Sequence, residues 1–329
     1  MIIKTVKLVN FRSHIQYELD CNDETSLILG ENGCGKTSVL EAIYILMQGK
    51  SFRAVDSEIL KRGEEFYRIE LEYVNGEKTV ATYNGRDKIF TLLDKKTKRL
   101  PKKNKYPVVL FLPSDLNLVS NSPSRRRDYF DRIFGQLDEN YSNTLSRYEK
   151  ALKQRNELLK SDFVSASGLF SWNVLLAKYG SEINRLRKKF LAEINKRFTE
   201  VYRTIAENED AVEIELITEV SDENKYLSLL EAEYQRDLRL GYTGFGIHKD
   251  DFLFVFNGGE ADGSASRGEV RSMILALKFI EAEMIYRELR LKPVVLLDDV
   301  FSELDEVRRK CLVKNFKDNQ VIITSVEKV

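Results

Sequence analysis

Eight consecutive residues carry the strongest chemical signal in this chain. Gly30-Glu31-Asn32-Gly33-Cys34-Gly35-Lys36-Thr37 fits the pattern G-x-x-x-x-G-K-[ST]. Glycines let successive backbone N–H groups curl around phosphate oxygens. Lys36 supplies a point charge toward the β- and γ-phosphates of a nucleotide, and Thr37 offers a hydroxyl to Mg²⁺. A helix that starts at Lys36 would aim its positive end at the same anion. Cys34 is read as a small residue that fills the loop, in preference to a reactive thiol.

Two further clusters suit the same chemistry. Val294-Val295-Leu296-Leu297 is an apolar run that ends in Asp298-Asp299. In an open α/β sheet, ligands bind beyond the carboxyl ends of the strands. Asp298 is then placed to hold Mg²⁺, and Asp299 to orient or activate an attacking water. An Asp is one methylene shorter than a Glu, so turnover is expected to be slow. By itself the pair suits a helix N-cap equally well. Ser264-Ala265-Ser266-Arg267-Gly268-Glu269 precedes a helical stretch. A Ser, a Gly and a helix start direct a hydroxyl and free N–H groups at one point, which makes a second anion site. One economical ligand is the γ-phosphate of ATP held by a second copy of the chain. The plainer alternative is a Ser N-cap.

The elements that must carry these residues can be read from periodicity. Residues 2–9 and 15–19 alternate as strands, and 26–29 is a strand that stops at the glycine loop. From Lys36, Val39, Leu40, Ile43, Leu46 and Met47 repeat at helical spacing. Residues 66–74 and 78–93 read as hairpin strands with Asn-Gly turns at 75–76 and 84–85, and 108–112 as a further strand. Residues 124–160 and 170–207 carry long helical periodicity without proline, with a turn at 161–168. A strand near 212–217 and a helix near 227–238 follow. The tail returns to α/β rhythm, with a helix at 268–289, a strand at 294–297, a helix at 305–316 and a strand at 320–324. We therefore expect residues 1–123 and 239–329 to fold together as one lobe, with 124–238 inserted as a helical lobe.

Composition narrows the function classes. The 329 residues hold 52 Lys plus Arg and 52 Asp plus Glu, so net charge gives no argument for a polyanionic partner. A nucleic-acid surface would need local segregation of charge. Residues 95–105, KKTKRLPKKNK, supply seven basic residues and no acidic one. Arg125-Arg126-Arg127 forms a second cluster, and Arg185, Arg187, Lys188 and Lys189 a third. Most such runs are solvated faces. His248 reads as a nucleotide or DNA contact or as a hydrogen-bonded structural histidine. Three separated cysteines and two histidines exclude a disulfide framework and a multi-histidine metal centre. No signal peptide and no apolar run of membrane-spanning length is present. The expectation is a soluble, cytoplasmic protein without a membrane partner.

The order of phosphate loop, Ser-x-Gly-x-x-Arg, acidic strand and Ser302-Glu303-Leu304-Asp305 resembles the ABC-type ATPase heads of the SMC and RecF group. So does the opening Leu8-Val9-Asn10-Phe11-Arg12-Ser13. Residues 111–131, FLPSDLNLVSNSPSRRRDYFD, and 297–308, LDDVFSELDEVR, are similar to two signatures of the RecF family. Gly241-Tyr242-Thr243 with His248-Lys249-Asp250-Asp251 is a third family-like stretch, and the resemblance covers essentially the whole chain. Asn121 stands where the first signature usually has Gly, and Glu269 where many members have Gln. Thr324 and Ser325 occupy the region where many ABC heads place a switch histidine.

The resemblance implies an α/β P-loop ATPase head with mixed sheets and an inserted, mainly helical second lobe. It implies ATP and Mg²⁺ as cofactors and a homodimer that forms around two ATP molecules. It also implies binding to gapped, single- and double-stranded DNA, with weak, DNA-stimulated ATP hydrolysis driving release. The implied partners are RecO- and RecR-type mediators and, indirectly, RecA recombinase loaded at single-strand gaps. By the same resemblance Gly30 to Thr37 and Arg12 lie at the nucleotide, Lys36 and Asp299 act in hydrolysis, Thr37 and Asp298 serve the metal, and Ser266 and Gly268 reach the other copy's γ-phosphate. A different class stays open: a nucleotide-gated scaffold for partner proteins with negligible turnover.

Overall fold

The computed structural model describes residues 2–161 and 165–326. Along the chain the elements are β1 (Ile3–Phe11), β2 (His14–Asp20), β3 (Thr25–Leu29), α1 (Lys36–Gln48), α2 (Asp56–Ile59), β4 (Tyr67–Tyr73), β5 (Lys78–Tyr83), β6 (Lys88–Leu92), β7 (Lys95–Thr97) and β8 (Val108–Phe111). Then come α3 (Pro123–Leu137), α4 (Glu139–Leu159), α5 (Ala166–Ala206), β9 (Val212–Ile217), α6 (Glu223–Ala232), α7 (Tyr234–Leu240), β10 (Asp251–Phe256) and β11 (Gly259–Glu260). The tail holds α8 (Arg267–Leu289), β12 (Val294–Asp298), α9 (Glu306–Asn315) and β13 (Val321–Ser325). The turn expected at 161–168 lies partly outside the described residues, at 162–164.

The chain divides into two compact units, residues 1–115 with 281–329, and residues 116–280. The boundary differs from the expected 1–123 plus 239–329. Residues 239–280 cluster with the helical block, because β10 pairs antiparallel with β9 along its whole length, from Asp251↔Ile217 to Phe256↔Val212.

The first unit holds two sheets. One is antiparallel, in the order β2-β1-β4-β5-β6-β7, and the other parallel, in the order β3-β13-β12-β8. Helix α1 contacts both. Its periodicity predicts one apolar stripe, yet Val39, Leu40, Ala42, Ile43, Ile45 and Met47 are all fully buried. A helix covered on every side is apolar on all faces rather than striped, as residues 42–47 are here, while most of its buried polar groups gather in its first turns. Gln320 ties the sheets: its side chain accepts from Ile3 N–H at 2.8 Å and donates to Ile3 carbonyl at 2.7 Å. β7 is absent from the sequence-based expectation. Its residues, Lys95-Lys96-Thr97, read only as part of a basic run, but an edge strand hydrogen-bonds through its backbone and commonly carries lysine.

The second unit is built on α3, α4 and α5 with the sheet β11-β10-β9. Phe130 stacks on Phe252 and Phe134 on Phe190, with ring centroids 4.4 and 4.9 Å apart. The single helix expected over 124–160 is broken at Asp138. That residue is extended (φ −136°, ψ 117°), and its carboxylate accepts from the N–H groups of Asn140 and Tyr141, as an N-cap does.

Several charged residues here are structural. Arg155 is fully buried and donates to Asp237 at 2.6 Å, to Asn173 and to Thr243. Arg187 is also buried, between Asp131 and Asp250. His248 is held on both ring nitrogens, by Tyr148 Oη at 2.8 Å on Nδ1 and the Thr243 carbonyl at 3.0 Å on Nε2. The carbonyl only accepts, so Nε2 carries the proton and Nδ1 accepts from the tyrosine. Burial drives the pKa of His248 down to about 4, and the positive charges of Lys249 and Arg127 add to the effect.

That displacement makes stability depend on pH. The unfolded chain takes up a proton on His248 as pH falls through its ordinary 6.5, the folded chain only near 4. The contribution is complete above pH 6.5 and is lost as pH falls from 6.5 toward 4, by up to about 3 kcal/mol. In His248→Gln that part of the slope should disappear. Urea unfolding of both proteins at pH 7 and pH 4.5 should show the stability gap between them narrowing at the lower pH.

Candidate nucleotide-binding site

Three neighbouring strands of the parallel sheet end in one row. The register pairs Leu29 with Ser325 and Asp298 with Thr324. The glycine loop therefore leaves β3 beside the acidic end of β12, with the end of β13 between them. Glu31, Asn32, Gly33 and Cys34 are exposed at the loop, whereas Lys36 is 7 % exposed. The N–H groups of Asn32, Gly33, Gly35, Lys36 and Thr37 bond to no other described residue, as expected of a loop built to receive an anion.

Two glycines are required by position. Gly35 sits at φ +99°, and a Cβ there would lie 2.4 Å from His14 Nε2 and 2.6 Å from Ser13 Oγ. The β1–β2 turn thus presses directly on the loop, and His14 Nε2 is 3.1 Å from the Gly35 carbonyl. Gly33, at φ +84°, has open space where a Cβ would sit. Lys36 Nζ donates to the carbonyls of Gly30 (2.7 Å) and Glu31 (3.1 Å). The ammonium is thereby held over the loop's own backbone.

Thr37 Oγ1 lies 2.8 and 2.9 Å from the two carboxylate oxygens of Asp298. A hydroxyl and a carboxylate this close give a hard cation two protein oxygens. Mg²⁺ is commonly held in this way, by one or two carboxylates or hydroxyls with waters and phosphates completing the octahedron. Among the described residues no group of three or more His, Cys, Asp or Glu side chains forms a metal cluster. Thr37 and Asp298 would supply at most part of such an octahedron and would leave its remaining positions to waters and a phosphate ligand. Asp299 has a left-handed backbone (φ 53°, ψ 22°), which is uncommon for a non-glycine residue. Its Oδ1 is buried with no hydrogen-bond partner among the described residues.

Thr324 organises both aspartates, a role that the sequence, where it marks only the region of the switch histidine, does not assign. Its Oγ1 donates to Asp298 Oδ1 at 2.9 Å and accepts from Asp299 N–H at 2.9 Å. Apart from that position, its sequence signal is a hydroxyl at the end of an apolar strand. A second omission lies around Arg12, which also has positive φ (56°). Arg12 reaches Glu41 through Nε and Nη2, and Arg53 reaches the same carboxylate. Arg12, Arg53, Lys36, Thr37, Asn32, Gly33, Asp298 and Asp299 share one pocket of about 500 Å³. That is room for a nucleotide-sized ligand.

Ser266 and Gly268 belong to the second unit. Ser266 is exposed at the start of α8. Its Oγ accepts from Glu269 N–H at 3.3 Å, while Ser266 N–H donates to Glu269 Oε2 at 2.6 Å. This reciprocal pair is a capping box, which explains how a Glu serves at position 269. The basic clusters fare differently. Residues 95–105 are largely exposed. Arg126 is instead buried against Asp251, Arg127 donates to the Asp250 carbonyl, and Arg187 is buried, so those two clusters are partly internal.

A family described as AAA ATPase domain matches residues 1–269. The chain is 35 % identical to the DNA replication and repair protein RecF of Clostridioides difficile (strain 630), across 99 % of this chain and 92 % of the relative. It is 33 % identical to the RecF of Lachnospira eligens, across 98 % and 92 %. Its fold is similar to a structure described as the recombination mediator protein RecF-ATP in the RecFOR pathway, with TM-score 0.87, 31 % identity and coverage of 99 % and 92 %. An Smc head bound to the C-terminal winged-helix domain of ScpA shares the fold at TM-score 0.53 and 15 % identity, covering 100 % and 90 %.

Thr324→Val keeps the shape of the side chain and removes both of its polar contacts. It should cost about 0.5–1.5 kcal/mol, the net worth of an ordinary hydrogen bond, because the Asp299 N–H keeps the Thr324 carbonyl at 3.2 Å and Asp298 Oδ1 keeps the Thr37 hydroxyl at 2.8 Å. Denaturant unfolding at pH 7 measures this.

Proposed function

The chain belongs to the RecF family of DNA replication and repair proteins, and from that premise we propose that it is an ATP-gated DNA-binding protein of recombinational repair. Lys36 and the loop N–H groups bind the triphosphate. Thr37 and Asp298 would hold Mg²⁺, which when bound neutralises phosphate charge. Asp299 orients the attacking water and receives its proton. Arg12 lies on the wall of the same pocket. Ser266 and Gly268 of a second copy close on the γ-phosphate, so that dimerisation reports the presence of ATP. The dimer grips DNA at single-strand gaps and duplex junctions, slow hydrolysis releases it, and RecO- and RecR-type partners couple the cycle to RecA loading.

The observation that carries this reading is convergence on a single pocket of about 500 Å³. The loop, Lys36, Thr37, Asp298 and Asp299 all line it. Exposure of Ser266 supports the role of a second copy, since a buried turn would be out of reach. For DNA we assign phosphate contacts to residues 95–105. The run is largely exposed, and of its seven basic residues Lys98 pairs with Asp87 at 3.0 Å. The run 95–105 itself contains no acidic residue.

Light scattering with ATP and Mg²⁺, with ADP, and without nucleotide tests the cycle. A stable dimer is expected with ATP and Mg²⁺ only. Lys36→Arg should reduce it, and Ser266→Arg should block it while a single subunit still binds ATP. Dimerisation of Ser266→Arg at the unmodified level would refute the shared pocket. Steady-state turnover of Asp299→Asn with gapped DNA separates the clamp from a scaffold of negligible hydrolysis. Unchanged turnover and unchanged DNA release would favour the scaffold.

A further inference from the structure

Glu41 lies one helical turn beyond Thr37 on α1, and its side chain is fully buried. Its two oxygens accept hydrogen bonds from three residues. Oε1 accepts from Arg12 Nη2 (2.8 Å) and Ser51 Oγ (2.6 Å). Oε2 accepts from Arg12 Nε (2.9 Å) and from Arg53 Nε and Nη2 (3.1 and 2.8 Å). Burial pushes the carboxyl pKa up, but the bonds from Arg12, Arg53 and Ser51 outweigh it and hold the group ionised, below its ordinary range.

The arrangement is costly for stability alone. A buried ion pair is often matched or bettered by apolar residues of similar volume. An apolar residue could not fix two guanidiniums, however, and both Arg12 and Arg53 line the pocket with Lys36 and Thr37, whereas Glu41 does not. One carboxylate against two guanidiniums leaves a net positive charge on that wall. Arg53 also reaches Ser38 Oγ at 3.5 Å, beside Thr37. Arg12 Nη1 is anchored on the Glu58 carbonyl at 3.0 Å, and Arg53 Nη1 donates to no described residue. Planar guanidiniums recognise phosphate well when their orientation is fixed in advance.

We propose that Glu41 is a positioning residue for the nucleotide reaction: from behind the pocket wall it holds Arg12 and Arg53 where their outward N–H groups meet the triphosphate. This rests on the ATP-binding reading above. The test uses the full chain, a fluorescent ATP analogue and Mg²⁺, and the variants Glu41→Gln, Glu41→Asp and Arg12→Gln/Arg53→Gln. Glu41→Gln should weaken binding about tenfold or more, and Glu41→Asp, which keeps the charge but falls a methylene short, about three- to tenfold. In the Arg12→Gln/Arg53→Gln background, adding either Glu41 substitution should change affinity less than about twofold, since no guanidinium remains to be positioned. A merely structural role would give the same fold-loss in both backgrounds, and that result overturns the proposal. So does unaltered affinity in folded Glu41→Asp, a variant that stays informative where Glu41→Gln fails to fold. Absence of ATP binding by the unmodified chain would instead defeat the underlying reading, and the proposal with it.

Discussion

The register between β12 and β13 is the constraint on which the site depends. Pairing Asp298 with Thr324, and Leu29 with Ser325, brings three strand ends level. A shift of one residue would turn each side chain to the opposite face. The Thr324 hydroxyl could then no longer donate to Asp298 while accepting from Asp299. The apolar runs of β12 and β13 are buried throughout, which fixes that register by packing rather than by the polar groups it serves.

A second layer of constraint comes from the antiparallel sheet. Its β1–β2 turn places His14 and Ser13 against Gly35, and places Arg12 in a left-handed conformation from which it spans to Glu41. Loop shape is thus set from two sides, by strand ends beneath and by a turn beside it. Local backbone strain of this kind persists only where surrounding structure over-determines it.

What could be read from the sequence follows from how far each interaction reaches. The phosphate loop and the acidic strand end are local patterns of type and spacing, and each fell where expected. The Arg12–Glu41 contact spans 29 residues and depends on one positive φ, so no spacing rule announces it. Arg187 sits within a run of cations on α5 that looks solvated, yet its helical position turns it inward to Asp131 and Asp250. The break at Asp138 leaves no mark in the pattern, because helical periodicity continues on both sides of it. The grouping of 239–280 turned on β10, whose pairing with β9 is a tertiary fact that an apolar run alone does not reveal.

Helix α1 has no free face. Because it is enclosed by both sheets, it has no slack in which to roll or bend, and close-packed interiors deform little under load. With a sheet against it on either side, any enlargement of a side chain between Val39 and Met47 must displace strands of one sheet or the other, because a close-packed core has little void to absorb it.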